Sequence, residues 1–113
     1  MKTLIKKITK SLLPNNYFHK HFYAKLISKN DLCIDIGANK GIYSIYMSRS
    51  AGQNGKVIAF EAQPELKKYL SEVKQAFSLD NLEIIDTALS SNSAEMTLRR
   101  ESIGSGAASF DFY

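Results

Sequence analysis

Along the chain, apolar residues alternate between helical spacing and the short unbroken runs of buried strands. In residues 1 to 13, Met1, Leu4, Ile5, Ile8 and Leu12 fall within an arc of about 100° at helical spacing. Lys2, Lys6 and Lys10 lie opposite, which predicts a short amphipathic helix that stops near Pro14. "NYFHKHFYAKLIS" predicts a second helix with Phe18, Phe22 and Leu26 as a core-facing stripe. "LCIDI" then reads as a strand apolar on both faces, as in the middle of a parallel sheet. After Gly41 a helix carries Ile42, Ile45 and Tyr46 on one side and ends near "AGQNG", a run of turn residues. "KVIAFE" is a second buried strand. Pro64 opens a helix with Leu66, Tyr69, Leu70, Val73 and Phe77 at helical spacing, and "LEIIDTAL" is a third strand. "SAEMTLRRESIGSGAASFDFY" predicts two short strands around a Gly/Ser loop.

The succession strand, helix, strand, helix, strand is expected of crossovers onto a parallel sheet, and the fold class is α/β: half of a Rossmann-like, doubly wound sheet. The division expected is a basic helical segment over residues 1–29 and the N-terminal half of a Rossmann-like domain over residues 30–113. Right-handed crossovers place the strands in the order 3-2-1, leaving "LCIDI" as an unpaired edge. Natural edges are seldom so apolar. The alternating, aromatic "ASFDFY" points the same way, so the chain is read as the N-terminal part of a longer enzyme or as a frameshifted or truncated gene product, with self-association through the exposed edge.

Composition narrows the class. The chain has 113 residues, 44% of them hydrophobic, which suits one globular unit. No apolar run approaches the roughly 18 residues of a spanning helix. Lysines interrupt the N-terminal segment where a secretory signal carries an unbroken apolar stretch, so a cytoplasmic location is expected. Cys33, the single cysteine, sits in the first apolar strand and is read as a small buried hydrophobe. Residues 1–30 hold seven lysines and no acid, whereas residues 31–113 hold eight basic and eleven acidic side chains. The basicity therefore belongs to the leader, which argues against a nucleic-acid-binding body. The leader has two readings, a helix packed on the body with solvated lysines or weak contact of residues 1–13 with an anionic membrane surface. His19 and His21, two apart, do not share a helix face and are read as solvated; no metal site is expected.

The candidate chemistry lies in "DLCIDIGANKGIYSIYMSR", where a strand breaks on Gly37 and Gly41 and resumes at once as a helix. In an open α/β sheet ligands bind beyond the carboxyl ends of the strands, so residues 35–41, 61–63 and 86–89 should converge on one crevice. The dinucleotide fingerprint G-x-G-x-x-G has a middle glycine that admits a pyrophosphate; here the spacing is G-x-x-x-G with Asn39 inside the turn. A ligand with a ribose and no pyrophosphate fits that departure. Glu61 closes the second strand 20 residues after Gly41, where a carboxylate can accept from both hydroxyls of a ribose. S-adenosylmethionine meets these needs: a ribose diol for Glu61, cationic groups that favour Asp35 nearby, and a carboxylate for free N–H groups at the helix opening near residues 39–41. Asp86 is read as a solvent-exposed or turn residue or as a further member of the crevice. The rival readings are a nicotinamide-dependent oxidoreductase half, which predicts the missing glycine, and a noncatalytic interaction domain.

"CIDIGANKGIYSIYMSR", "GKVIAFEAQP" and "NLEIIDTALS", in that order, resemble the FkbM family of S-adenosylmethionine-dependent methyltransferases over about residues 26–100. By that resemblance Asp35, Gly37, Ala38, Asn39 and Gly41 form the first cofactor loop, and Glu61 is the ribose-binding acid. Ala62 stands in the second loop where the family usually has proline, and Thr87, Ala88 and Leu89 form the adenine-side loop. The resemblance implies O-methylation of a small-molecule acceptor, a sugar or another small metabolite. It names no general base in this sequence.

Overall fold

The computed structural model describes residues 17–91, 93, 95, 97–104 and 109–110. The helix predicted over residues 1–13, and the side chains of Phe18, His19 and His21, lie outside that set. The elements are α1 (Tyr17–Leu26), β1 (Leu32–Ile36), α2 (Ile42–Ala51), β2 (Lys56–Phe60), α3 (Pro64–Ala76), β3 (Leu82–Ile85), β4 (Leu98–Arg99) and β5 (Ser109–Phe110). β1, β2 and β3 form a parallel sheet in that spatial order, so each crossover helix links neighbouring strands. β4 and β5 form a separate antiparallel pair. No helix among the described residues is long and apolar enough to cross a membrane.

The register explains where the core sits. Cys33, Val57 and Leu82 form one cross-strand row, and Asp35, Ala59 and Ile84 the next on the same face. That face receives both crossover helices: Ile45 of α2 and Leu70, Val73 and Ala76 of α3 pack with Val57, Ala59 and Leu82. Each of the larger aliphatic side chains buried there stabilises the fold by about 1.5–3 kcal/mol. The alternate positions of β1 point away from this core. Leu32, Ile34 and Ile36 are 63%, 53% and 68% exposed, so the strand predicted to be an apolar edge is one.

Two predicted helix faces are displaced. On α1, Phe22 and Leu26 are 45% and 63% exposed and do not form the expected stripe. Tyr23 makes the contact instead, stacked on Tyr46 with ring centroids 5.6 Å apart and tilted against Tyr43 at 5.9 Å. A tyrosine offers a large apolar ring that packs while its hydroxyl stays near water, so Tyr23 takes the core-facing position. On α2 the buried residues are Ser44, Ile45, Ser48 and Ala51, so the face toward the sheet is small and partly polar, and Tyr46 is only half-buried. The serines fit there because each has a polar partner: Ser44 on Asp35 and Ser48 on Asn81. Asn81, just before β3, also donates to the Ser48 and Gly52 carbonyls at 2.9 and 2.8 Å, satisfying the end of α2. On α3, Leu66, Leu70 and Val73 are buried and Tyr69 and Phe77 half-buried, as their spacing predicts.

Candidate functional site

The turn from β1 into α2 is built from three left-handed residues, Gly37 (φ 73°), Asn39 (φ 52°) and Gly41 (φ 82°). This reverses the chain within a few residues and brings the start of α2 over the end of the sheet. The two glycines meet different needs. A Cβ on Gly41 would lie 2.8 Å from Leu70 Cδ2, so Gly41 permits the close approach of α2 and α3. A Cβ on Gly37 would meet nothing within 4 Å, so one side of the turn is open to an approaching ligand.

β2 delivers Glu61 beside this turn. Its backbone N–H donates to Ile85 O at 3.0 Å, extending the ladder to β3 one residue past the strand. Its side chain is 6% exposed and accepts two backbone hydrogen bonds. Asn39 N–H donates to Oε1 at 2.8 Å and Gln63 N–H to Oε2 at 2.9 Å. Each oxygen of a carboxylate has a second lone-pair direction, so a carboxylate held in this way retains acceptor capacity on both oxygens. Asp35, also buried, accepts from Ser44 Oγ at 2.5 Å. Burial pushes the Asp35 carboxyl up, the Ser44 hydrogen bond opposes that, and the nearby Glu61 charge adds to it.

The strand ends are bridged by the turn that leads out of β4. Gly104 N–H donates to Gln63 Oε1 at 2.7 Å, and Asn39 Nδ2 donates to Gly104 O at 3.0 Å. Arg100 Nη1 donates to Gln63 Oε1 at 3.1 Å, and Arg100 makes a two-pronged pair with the Glu65 carboxylate, both contacts 2.7 Å. The Arg100 hydrogen bonds pull the Glu65 carboxyl down to about 2.

Asp35, Gly37, Ala38, Asn39, Gly41 and Glu61 therefore converge as the sequence predicts, with half-buried Ala62 between Glu61 and Gln63. Thr87, Ala88 and Leu89 follow β3 on the exposed surface and take no part in the hydrogen-bond ring around Glu61. Asp86 is exposed and paired with Lys67 at 3.0 Å, whose hydrogen bond holds its carboxyl low. One expectation is corrected in part: the N–H groups of Gly37, Ala38, Asn39 and Gly41 are not free for a ligand carboxylate. Gly37 and Ala38 N–H donate to Phe60 O at 2.9 and 3.0 Å, Asn39 N–H to Glu61, and Gly41 N–H to Ala38 O at 2.9 Å. The tight reversal turns these groups inward, onto β2 and onto the turn itself. The first bond of the α2 ladder runs from Ile45 N–H to Gly41 O, so the donors left over at this helix start belong to Lys40, Ile42, Tyr43 and Ser44. Gln63 falls within the predicted loop 61–63 with no role attached to it, and no sequence pattern marks Ser44, Arg100 or Gly104. Ser44 lay one turn into a helix already assigned to packing, and no local pattern links Gly104 to residues 41 and 65 positions away.

Among solved structures, an S-adenosylmethionine-dependent O-methyltransferase from Thermotoga maritima superposes with a TM-score of 0.60 at 24% identity, covering 74% of this chain and 33% of that one. A SAM-dependent methyltransferase from Aquifex aeolicus gives 0.56 at 26% identity, covering 75% and 46%. The fold is that of the class I methyltransferases. The O-methyltransferase from Bacillus cereus in complex with SAH gives 0.53 at 18% identity, covering 74% and 41%. This chain thus spans less than half the length of each of these methyltransferases. No protein-family model and no curated protein matches the sequence.

Proposed function

We propose that this chain is the cofactor-binding part of an S-adenosylmethionine-dependent methyltransferase of the FkbM type, acting on a hydroxyl of a small-molecule acceptor such as a sugar. The observation that carries the reading is the Glu61 carboxylate. It lies at the carboxyl end of the middle strand, each oxygen oriented by one backbone N–H and each retaining a lone pair. Two acceptor oxygens on one rigid carboxylate match the paired hydroxyls of a ribose.

The other residues fit the same ligand. Gly37 leaves the turn open on one side, Asp35 places a carboxylate one element away from Glu61, and the order of motifs from "CIDIGANKGIYSIYMSR" to "NLEIIDTALS" supports the FkbM assignment. The bound cofactor supplies an activated methyl group on a sulfonium. The protein's share is then to hold the ribose through Glu61, to favour positive charge through Asp35, and to align an acceptor, which is the main catalytic term for such a transfer. The acceptor side of the crevice is proposed to lie in polypeptide beyond these 113 residues, because the match covers only 33% and 46% of two of those methyltransferases and β1 presents an uncovered apolar edge. Residues 1–113 alone are expected to bind cofactor without turnover.

Calorimetry with S-adenosylhomocysteine tests the reading. A charge-assisted contact to a ribose diol is worth about 1.5–3 kcal/mol, so Glu61→Ala should weaken binding at least about tenfold. An unchanged dissociation constant would remove Glu61 from the site.

A further inference from the structure

A ring of hydrogen bonds passes through Glu61 and through a residue far from it in sequence. Asn39 and Gln63 each serve twice. Their backbone N–H groups donate to the two Glu61 oxygens at 2.8 and 2.9 Å, while their side-chain amides meet the Gly104 backbone. Asn39 Nδ2 donates to Gly104 O at 3.0 Å, and Gly104 N–H donates to Gln63 Oε1 at 2.7 Å. Gly104 is 65 residues from Asn39 and 41 from Gln63, so these bonds are the long-range closure of the ring. Arg100 anchors the same segment to the start of α3 through Glu65 and adds a second donor to Gln63 Oε1.

The requirement for glycine at this point is conformational. Gly104 has φ 80°, while a Cβ there would meet only ordinary contacts, Lys40 Cε at 3.7 Å and Leu66 Cδ2 at 3.8 Å. The left-handed backbone lets one peptide segment present its N–H to Gln63 and its carbonyl to Asn39. Gln63 is buried, so its amide oxygen depends on these donors to replace water.

We infer that Gly104 and Gln63 are positioning residues for Glu61. The turn after β4 clips the loop after β1 to the loop after β2 at the separation that orients both Glu61 oxygens, and with them the lone pairs offered to a ribose diol. The purpose of the clip rests on the reading of Glu61 given above; its existence as a mechanical unit does not.

Two measurements on the 113-residue chain separate these parts. The first is amide hydrogen exchange without ligand. Gln63→Leu should accelerate exchange of the Asn39 amide at least about tenfold, because Gly104 joins the two side chains. Gly104→Ala should do the same, and the double variant should add no more than about threefold to either, as for members of one network. Gln63→Glu keeps an acceptor for Gly104 and Arg100 and should remain within about threefold of the parent. An Asn39 amide equally protected in Gln63→Leu and Gly104→Ala overturns the clip.

The second measurement is calorimetry with S-adenosylhomocysteine and its 2′-deoxyribose analogue. The parent chain should prefer the ribose form at least about tenfold, and Gln63→Leu should reduce that preference below about threefold while retaining affinity for the deoxy form. An equal loss of affinity for both ligands, with the preference intact, would show a merely structural role and overturn the positioning assignment. A parent chain that binds both ligands equally overturns the reading of Glu61 and the purpose of the clip with it, whereas the exchange result judges the clip itself.

Discussion

Two buried acids lie near the carboxyl ends of the neighbouring strands β1 and β2, and their surroundings treat them differently. Glu61 receives two backbone N–H groups, whereas Asp35 receives the Ser44 hydroxyl. Burial raises the Asp35 carboxyl above its ordinary value and Ser44 only partly offsets this. An acid whose folded pKa is raised binds more protons in the native state than in the unfolded one, so stability is fully present below its unfolded value and is lost as pH rises through the folded one. At neutral pH, above its unfolded value, Asp35 therefore weakens the fold. Asp35→Asn, which keeps an acceptor for Ser44, should raise Tm by a few degrees at pH 7, and the gap should close as pH falls below about 4. The same change should weaken S-adenosylmethionine, which is cationic, more than neutral-sulfur S-adenosylhomocysteine. Thermal melts across pH and paired titrations check both outcomes. Asp35, Asn39 and Glu61 were legible in the sequence because their spacing relative to the strands carries the chemistry. Gln63 was not, since a glutamine beside a strand end has no pattern until its partner, 41 residues on, is known.

At the scale of elements, the β1 to α2 turn divides its work between two glycines. Gly41 faces the packed core, where a Cβ would press on fully buried Leu70 while the backbone is left-handed. Gly41→Ala should cost about 2–4 kcal/mol, combining left-handed strain with overpacking. Gly37→Ala carries only the backbone strain, about 1–2 kcal/mol, yet sets a methyl group on the open side of the turn. Urea denaturation should rank Gly41→Ala as the less stable, and calorimetry on folded protein should rank Gly37→Ala as the weaker binder of S-adenosylhomocysteine. The strands and both crossover helices were readable because their apolar runs are long and bounded by Gly, Pro and Asn. The faces of α1 and α2 were less so. Tyr23 packs where Phe22 and Leu26 were expected, and Ser44 and Ser48 are buried because Asp35 and Asn81 satisfy them, facts of tertiary pairing that helical spacing does not contain.

For the molecule as a whole, the asymmetry of the sheet governs behaviour in solution. One face carries both crossover helices, while Leu32, Ile34 and Ile36 on β1 remain open at the edge. Apolar edges recruit further strands. Sedimentation velocity should find the 113-residue chain self-associating as its concentration rises, and Ile34→Lys should hold it monomeric by placing a charge at the centre of that edge. A parent chain that stays monomeric throughout would show that the edge is covered in solution.

The clip on Glu61 also has a meaning in time. Sheet pairing joins residues that are close in sequence: Leu32 with Lys56, then Val57 with Leu82. Both crossovers can close once about 85 residues are clear of the ribosome, and short-range closures of this kind carry the smallest loop entropy. Gly104 must wait for a later stretch and then reach back 65 residues to Asn39. On a ribosome that adds residues one at a time, the scaffold is in place before the contact that aims Glu61. Folding competence and ligand competence are therefore acquired in that order, and a nascent chain can be structured while its binding carboxylate is still unaligned.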